Sequence, residues 1–215
     1  MSLTLVIGNK TYSSWSLRPW LLLSHFGIPF SEKLLPLDTD QFRAEIPALS
    51  PSGRVPVLHD GELKVWDSLA ICEYLNEAYL DQRGWPSDLA HRAIARSVSA
   101  EMHSGFAAMR NELAMNVKRV NRPLAQVSAE ATADIARVQA IWTDCLERSG
   151  GPFLFGDFSI ADAMFAPVVY RFRGYGVALS EAQQRYSQAI LALPAIAAWE
   201  AGAANEPLMP KYEAR

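Results

Sequence analysis

Periodicity changes once along this chain, near Asp81, and that change limits the folds open to it. Before it, apolar runs of strand length alternate with helical patterns. Leu3 to Ile7, ending at Gly8-Asn9, reads as a buried strand; a helix follows to about Phe26, where Gly27-Ile28-Pro29 stops it. Phe30 to Leu37 alternates as a second strand, and Asp40 to Leu49 suits a short helix broken by Pro47. Val55 to His59 and Leu63 to Trp66 flank the hairpin signal Asp60-Gly61, and Asp67-Ser68 opens a helix through about Leu80. Gly84 and Pro86 mark a linker, and everything after them reads as helix. The expected fold is therefore α/β plus all-α: β-α-β-α-β-β-α over residues 1–81, a linker at 82–87 and an all-helical domain over 88–215.

In the helical part, Ile94, Val98, Met102, Phe106, Met109, Leu113 and Val117 recur at steps of three or four, which predicts one long amphipathic helix. A second runs from about Ala129 to Arg148. Ser159 and Asp162 stand in capping-box relation, with Asp in place of the preferred Glu, which makes Asp162 a buried cap. Pro194 begins a last helix, Leu193 to Ala203.

Composition removes several function classes. Half of the 215 residues are apolar, enough for a proper core, and a net charge of -3 with mixed signs leaves no basic footprint for nucleic acid. No apolar run reaches the roughly 18 to 20 residues that span a bilayer, and the N-terminus lacks the pattern of a signal peptide, so a cytoplasmic location is expected. Cys72 and Cys145 sit far apart in apolar helical patterns and read as reduced core thiols. The four histidines have no ligand spacing, so no metal is expected.

The segment Tyr12-Ser-Ser-Trp-Ser-Leu-Arg-Pro-Trp20 carries more hydroxyls than a helix start requires. A proline is tolerated in the first helical turn, so Pro19 favours regular hydrogen bonding from about Ser16 and gives Ser16 the cap. Ser13 and Ser14 are then left at the mouth of the helix, where free N–H groups and the positive end of the macrodipole suit an anion.

Four motifs in order, S-S-x-S-x-R at Ser13, V-P at Val55, D-S-L-A-I-x-E-Y-L at Asp67 and G-x-x-S-I-A-D at Gly156, resemble those of the cytosolic glutathione S-transferases over essentially the whole chain. The resemblance implies a thioredoxin-like first domain, glutathione as co-substrate, a small electrophile as second substrate and a homodimer. It also implies roles. A free thiol titrates near 8.5, and a hydroxyl donated at a helix N-terminus lowers that value. Alignment with the zeta class picks Ser13 as that donor; counting back from Arg18, as in the delta and theta classes, picks Ser14. Tyr12 is the third candidate. Pro56 would be cis and expose Val55 to the cysteinyl backbone, Ser68 would face the γ-glutamyl carboxylate, Asp67 the ammonium, and Arg54 would add charge.

The second substrate is expected between the domains, near Met102, His103, Phe106 and Arg110; the competing reading makes the first and third core and the other two a solvated face. Two departures from the zeta pattern count against maleylacetoacetate isomerisation: Trp15 stands for Cys, and Gly174 for an arginine, with Arg171 and Arg173 nearby. The leading expectation is a transferase of detoxification type. A non-catalytic interaction module and a glutathione-dependent cis-trans isomerase are the alternatives.

Overall fold

A computed structural model describes residues 3–213. The chain runs β1 (Leu3–Ile7), α1 (Ser14–His25), β2 (Phe30–Leu34), α2 (Asp40–Leu49), β3 (Val57–Asp60), β4 (Leu63–Trp66) and α3 (Ser68–Tyr79). Only helices follow: α4 (Leu89–Ser104), α5 (Ala107–Glu112), α6 (Ala129–Ser149), α7 (Ile160–Tyr175), α8 (Glu181–Leu191), α9 (Pro194–Ala203) and α10 (Pro210–Glu213). The sheet order is β2-β1-β3-β4, with β1 parallel to β2 and antiparallel to β3. This is a thioredoxin-like α/β layer followed by an all-helical part, as expected.

Leu5, Ile7 and Leu58 face α1 and α3 in one large core, while Val6, Leu35, Ile46 and Val57 form a smaller core on the opposite sheet face. The alternation along β1 explains the division, because successive strand side chains point to opposite faces. Helix α7 is buried along nearly its whole length and packs against both α1 and α4. That packing sets side chains of α7 beside the start of α1.

Three sequence expectations need correction, and two helices go beyond the segments given bounds above. Helix α1 begins at Ser14 with Ser13 at its N-cap, so Ser16 is not the cap and Pro19 lies inside the helix. Pro47 likewise lies within α2 and does not break it. The long helix predicted through Val117 is two helices, split at Gly105-Phe106, where Phe106 takes a left-handed φ of 59°. Phe106, Leu113 and Val117 are nonetheless buried, and Ile94 is exposed: apolar spacing reports burial, and burial continues through a turn. Finally, α8 and α10 are helices that the sequence reading does not assign. No helix among the described residues is long and apolar enough to cross a membrane.

Candidate active site at the mouth of helix α1

A cleft of ≈ 420 Å³ opens at the start of α1, lined among others by Tyr12, Ser13, Ser14, Trp15, Arg110 and Arg171. A second recess of ≈ 350 Å³, lined by Pro56, Trp66 and Asp67, shares Trp15, Arg54 and Val55 with it. Together they make a groove from the N-terminus of α3 to the N-terminus of α1.

The serines differ in their engagement. Ser13 is buried and its hydroxyl donates to Ser16 Oγ at 2.7 Å; Ser16 Oγ in turn accepts from Gly8 N–H at 3.1 Å. Ser16 is thus a buried brace of the loop before α1. Ser14 is the more accessible, and its oxygen accepts from Arg171 Nη2 at 3.3 Å, which leaves its proton to donate. No side chain caps α1, and its first turn carries no acid. Tyr12 is otherwise occupied: its hydroxyl donates to Glu213 Oε1 at 2.8 Å and accepts from Met209 N–H at 3.0 Å. Burial first, with Glu213 adding, pushes its phenol up to about 12, which disfavours it as a thiolate partner.

At the other end, the Val55-Pro56 peptide is cis. Arg54 is exposed and, with Val55, lines both recesses. Asp67 caps α3, its Oδ1 accepting from Leu69 N–H at 2.9 Å and Ala70 N–H at 3.3 Å. Its Oδ2 lies 3.0 Å from His103 Nε2. Ser68 sits behind the lining at 1 % exposure, where its hydroxyl accepts from Arg18 Nη1 at 3.2 Å. The groove therefore brings together Ser13, Ser14, Arg54, Val55, Pro56 and Asp67, with Ser68 one layer deeper.

The second-substrate residues divide. Met102 and Phe106 are core, outside the cleft lining. His103 packs edge-on to Trp15, its ring centroid 5.3 Å away, and burial holds its pKa below the ordinary value, so at neutral pH the contact with Asp67 is a hydrogen bond more than an ion pair. Arg110 lines the cleft with its guanidinium 5.3 Å from the Trp15 ring, and donates to the His103 carbonyl at 3.0 Å.

Two further candidates, Arg171 and Arg18, appear in the sequence analysis without a site role of their own. Arg171, on α7, donates to the carbonyls of Arg110 and Leu113 and to Ser14, and among the described residues no carboxylate pairs with it. Arg18 lies over Trp15 at 4.3 Å and is equally buried. Burial, then the neighbouring arginines, push Arg18 down to about 9 and Arg171 to about 10, so both remain charged at neutral pH. The available signal was an arginine inside Met164-Phe-Ala-Pro-Val-Val-Tyr-Arg171, an otherwise apolar buried helix. Arg110 and Arg171 line the cleft and Arg18 lies behind Trp15, a concentration of positive charge that suits an anion. The cysteines are elsewhere: Cys72 and Cys145 are free and buried, and burial pushes the Cys145 thiol up to about 12 and Cys72 higher still. Among the described residues no cluster of His, Cys, Asp and Glu could hold a metal.

Comparison with known proteins gives the family. Residues 12–78 match the model of the glutathione S-transferase N-terminal domain, and residues 99–202 that of the C-terminal domain. The chain is 30% identical to a maleylacetoacetate isomerase of Rattus norvegicus, over 86% of each chain. It is also 30% identical to a probable maleylacetoacetate isomerase of Vibrio cholerae, covering 78% of this chain and 80% of that one. A glutathione transferase homologue from Burkholderia, solved with bound glutathione, superposes with a TM-score of 0.75 at 22% identity, covering 96% of this chain and all of the other. With both halves matched, in order, by the family's two domain models, the chain belongs to the glutathione S-transferase family.

Proposed function

We propose that this glutathione-dependent enzyme binds glutathione along the groove from Asp67 to Ser14 and holds its sulfur as a thiolate for attack on a small electrophile. Residues 1–81 bind the tripeptide, and residues 88–215 supply the wall against which the second substrate lies. The thiol loses its proton to solvent as it binds. Ser14 donates its hydroxyl to the resulting anion, the uncapped N-terminus of α1 adds its dipole, and Arg171 fixes the Ser14 rotamer and contributes charge. The observation that carries this reading is the Arg171–Ser14 contact: a buried cation with no carboxylate partner among the described residues, set against a hydroxyl at an open helix start.

Val55, beside the cis Pro56, offers its backbone to the cysteinyl unit, and the γ-glutamyl end lies near Asp67 and Ser68. Calorimetry with glutathione, followed by ultraviolet titration of the bound thiol, tests the proposal. The expected result is millimolar or tighter binding with a thiol pKa well below 8.5, the ordinary value of about that size. No binding at millimolar glutathione leaves a non-catalytic module as the reading that survives. Cytoplasmic location and homodimerisation belong to the same proposal; Leu63 and Trp66, both exposed on β4, support the latter.

One observation favours an unsaturated acid as the electrophile. Gly174, which takes the place of the zeta-class arginine, lies against Arg119 and outside the cleft lining, while Arg171, less than one turn away, lines it with Arg110. A thiolate that adds to an alkene, permits rotation and leaves again isomerises the substrate and regenerates glutathione, and a substrate carboxylate would meet these guanidinium groups. Arg110→Met should then raise KM for an unsaturated diacid about tenfold while changing a neutral haloarene little. Equal effects on both substrates would remove the acid from consideration.

A further inference from the structure

The loop between β1 and α1, residues 8–13, is wholly buried and leads into the serines; Tyr12 and Ser13 N–H both donate to the Asn9 carbonyl within it, but the amides of Lys10 and Thr11 are not paired inside the loop. Instead, Lys10 N–H donates to Glu206 Oε1 at 2.7 Å and Thr11 N–H to Glu206 Oε2 at 2.8 Å. Both oxygens of one carboxylate thus clamp two successive amides almost 200 residues away in sequence. Trp199 Nε1 donates to the Lys10 carbonyl at 2.9 Å, and Val117 N–H to that of Thr11 at 3.1 Å. The tail beyond α9 is held in turn: Lys118 Nζ donates to the carbonyls of Ala204 at 3.0 Å and Glu206 at 2.7 Å. Farther along, Glu213 receives Tyr12 and also Asn116 Nδ2 at 2.7 Å, and the Tyr212 ring stacks on Tyr12 at 5.0 Å as part of the cleft wall.

We propose that Glu206 is a positioning residue for the glutathione reaction, its carboxylate fixing the loop so that Ser14 points at the sulfur, with the tail over residues 204–213 acting as the strap that delivers it. The inference rests on the thiolate reading above. A carboxylate accepting two backbone N–H groups is a strong, directional clamp, because charge-assisted hydrogen bonds exceed neutral ones. Its geometry leaves little slack: Lys10 and Thr11 lie two to four residues before Ser13 and Ser14, and a donor misplaced by about 1 Å can cost far more in rate than in binding. Glutathione itself makes its principal contacts elsewhere along the groove, at Val55 and near Asp67. Loosening the strap should therefore act on the thiolate and leave the affinity for the tripeptide nearly as it was.

Glu206→Gln is the test, since the amide keeps the shape but offers a single acceptor and sets an NH2 against the second N–H. The expected result is turnover at neutral pH lower by about tenfold, glutathione Kd within about threefold, and the bound thiol's pKa raised by about one unit. Lys118→Met, which frees the strap from its other side without touching the loop, should move the same quantities in the same direction by a smaller amount and decides the matter if Glu206→Gln does not fold. A merely structural role would lower Tm alone. Wild-type turnover and wild-type thiol pKa in the folded variants overturn the inference while leaving the functional reading in place. A wild-type chain that binds no glutathione overturns both.

Discussion

Helices α1 and α7 pack side by side, and each starts near a serine, yet the two starts are finished in opposite ways. At α7, Asp162 is fully buried and accepts from Leu154 N–H at 3.0 Å, Ser159 N–H at 2.9 Å and the Ser159 hydroxyl at 3.0 Å. The carboxylate closes that helix from within. At α1 there is no side-chain cap and no acid; the nearest charges are guanidinium groups, and the start opens on a cleft. A buried helix start completed by its own residues serves folding. One left open beside cations suits an anion from outside, and in the reading proposed above the glutathione thiolate supplies it.

The comparison breaks most visibly at Asp162. Asp162→Ala leaves two amides and a hydroxyl buried without partners and should lower stability by roughly 3 kcal/mol. Urea denaturation measures the loss, and glutathione turnover per folded molecule should stay unchanged. A variant equally stable but catalytically weak would mean that the α7 start belongs to the active site after all.

A smaller effect appears in the pH dependence of the same group. Burial, opposed by its hydrogen bonds, pushes the Asp162 carboxyl up to about 6, against 3.8 for an ordinary aspartate. Because the folded value exceeds the unfolded one, this group's contribution is present in full below 3.8 and is lost as pH rises through about 6. Relative to Asp162→Asn, which does not titrate, the wild type should gain roughly 1 to 2 kcal/mol between pH 7 and pH 5. The subtraction is needed because His25 and His103, both held below their ordinary values by burial, act with the opposite sign over this window. A difference that does not vary with pH would show the carboxyl to be an ordinary low-pKa cap.

These two starts also show what a sequence can and cannot disclose. The Ser159–Asp162 pair was legible because its partners lie within one turn, and the fold order was legible because strand and helix periods alternate before Asp81 and not after it. The end of the groove proposed to hold glutathione follows from short motifs, Val55-Pro56 and Asp67-Ser68, whose parts are adjacent in the chain. Arg171, Glu206 and the commitment of Tyr12 to Glu213 depend on contacts across 157, 196 and 201 residues, and no local rule registers these. Pro19 misled for the opposite reason. A local preference, proline in the first turn, placed the helix start two residues late, whereas the loop braced by Ser16 and clamped by the tail starts it at Ser14.

At α1 the comparison is sharpened by Ser14. Ser14→Ala removes the hydroxyl and leaves the dipole and Arg171, so part of the thiol's pKa depression should survive. Turnover at neutral pH should fall by about tenfold, equivalent to roughly 1.4 kcal/mol, with the bound thiol's pKa higher by about one to two units. Glutathione affinity should remain within a few fold. Ultraviolet titration beside steady-state kinetics reads both quantities, and an unmoved thiol pKa would remove Ser14 from the mechanism.

The smallest effect is expected at the neighbouring hydroxyl, and it is the one that separates the two serines. Ser13 donates to Ser16 Oγ, which keeps its second contact, from Gly8 N–H, when Ser13 is gone. Ser13→Ala should therefore cost about 1 kcal/mol of stability, the net value of one buried hydrogen bond, with turnover within about threefold of wild type. The alignment that picks Ser13 as the thiolate donor requires its hydroxyl to turn from Ser16 to the sulfur when glutathione arrives. If Ser13→Ala abolishes the pKa depression and Ser14→Ala does not, that rotation occurs: Ser16 then holds the donor in reserve, and Arg171 acts on the substrate alone.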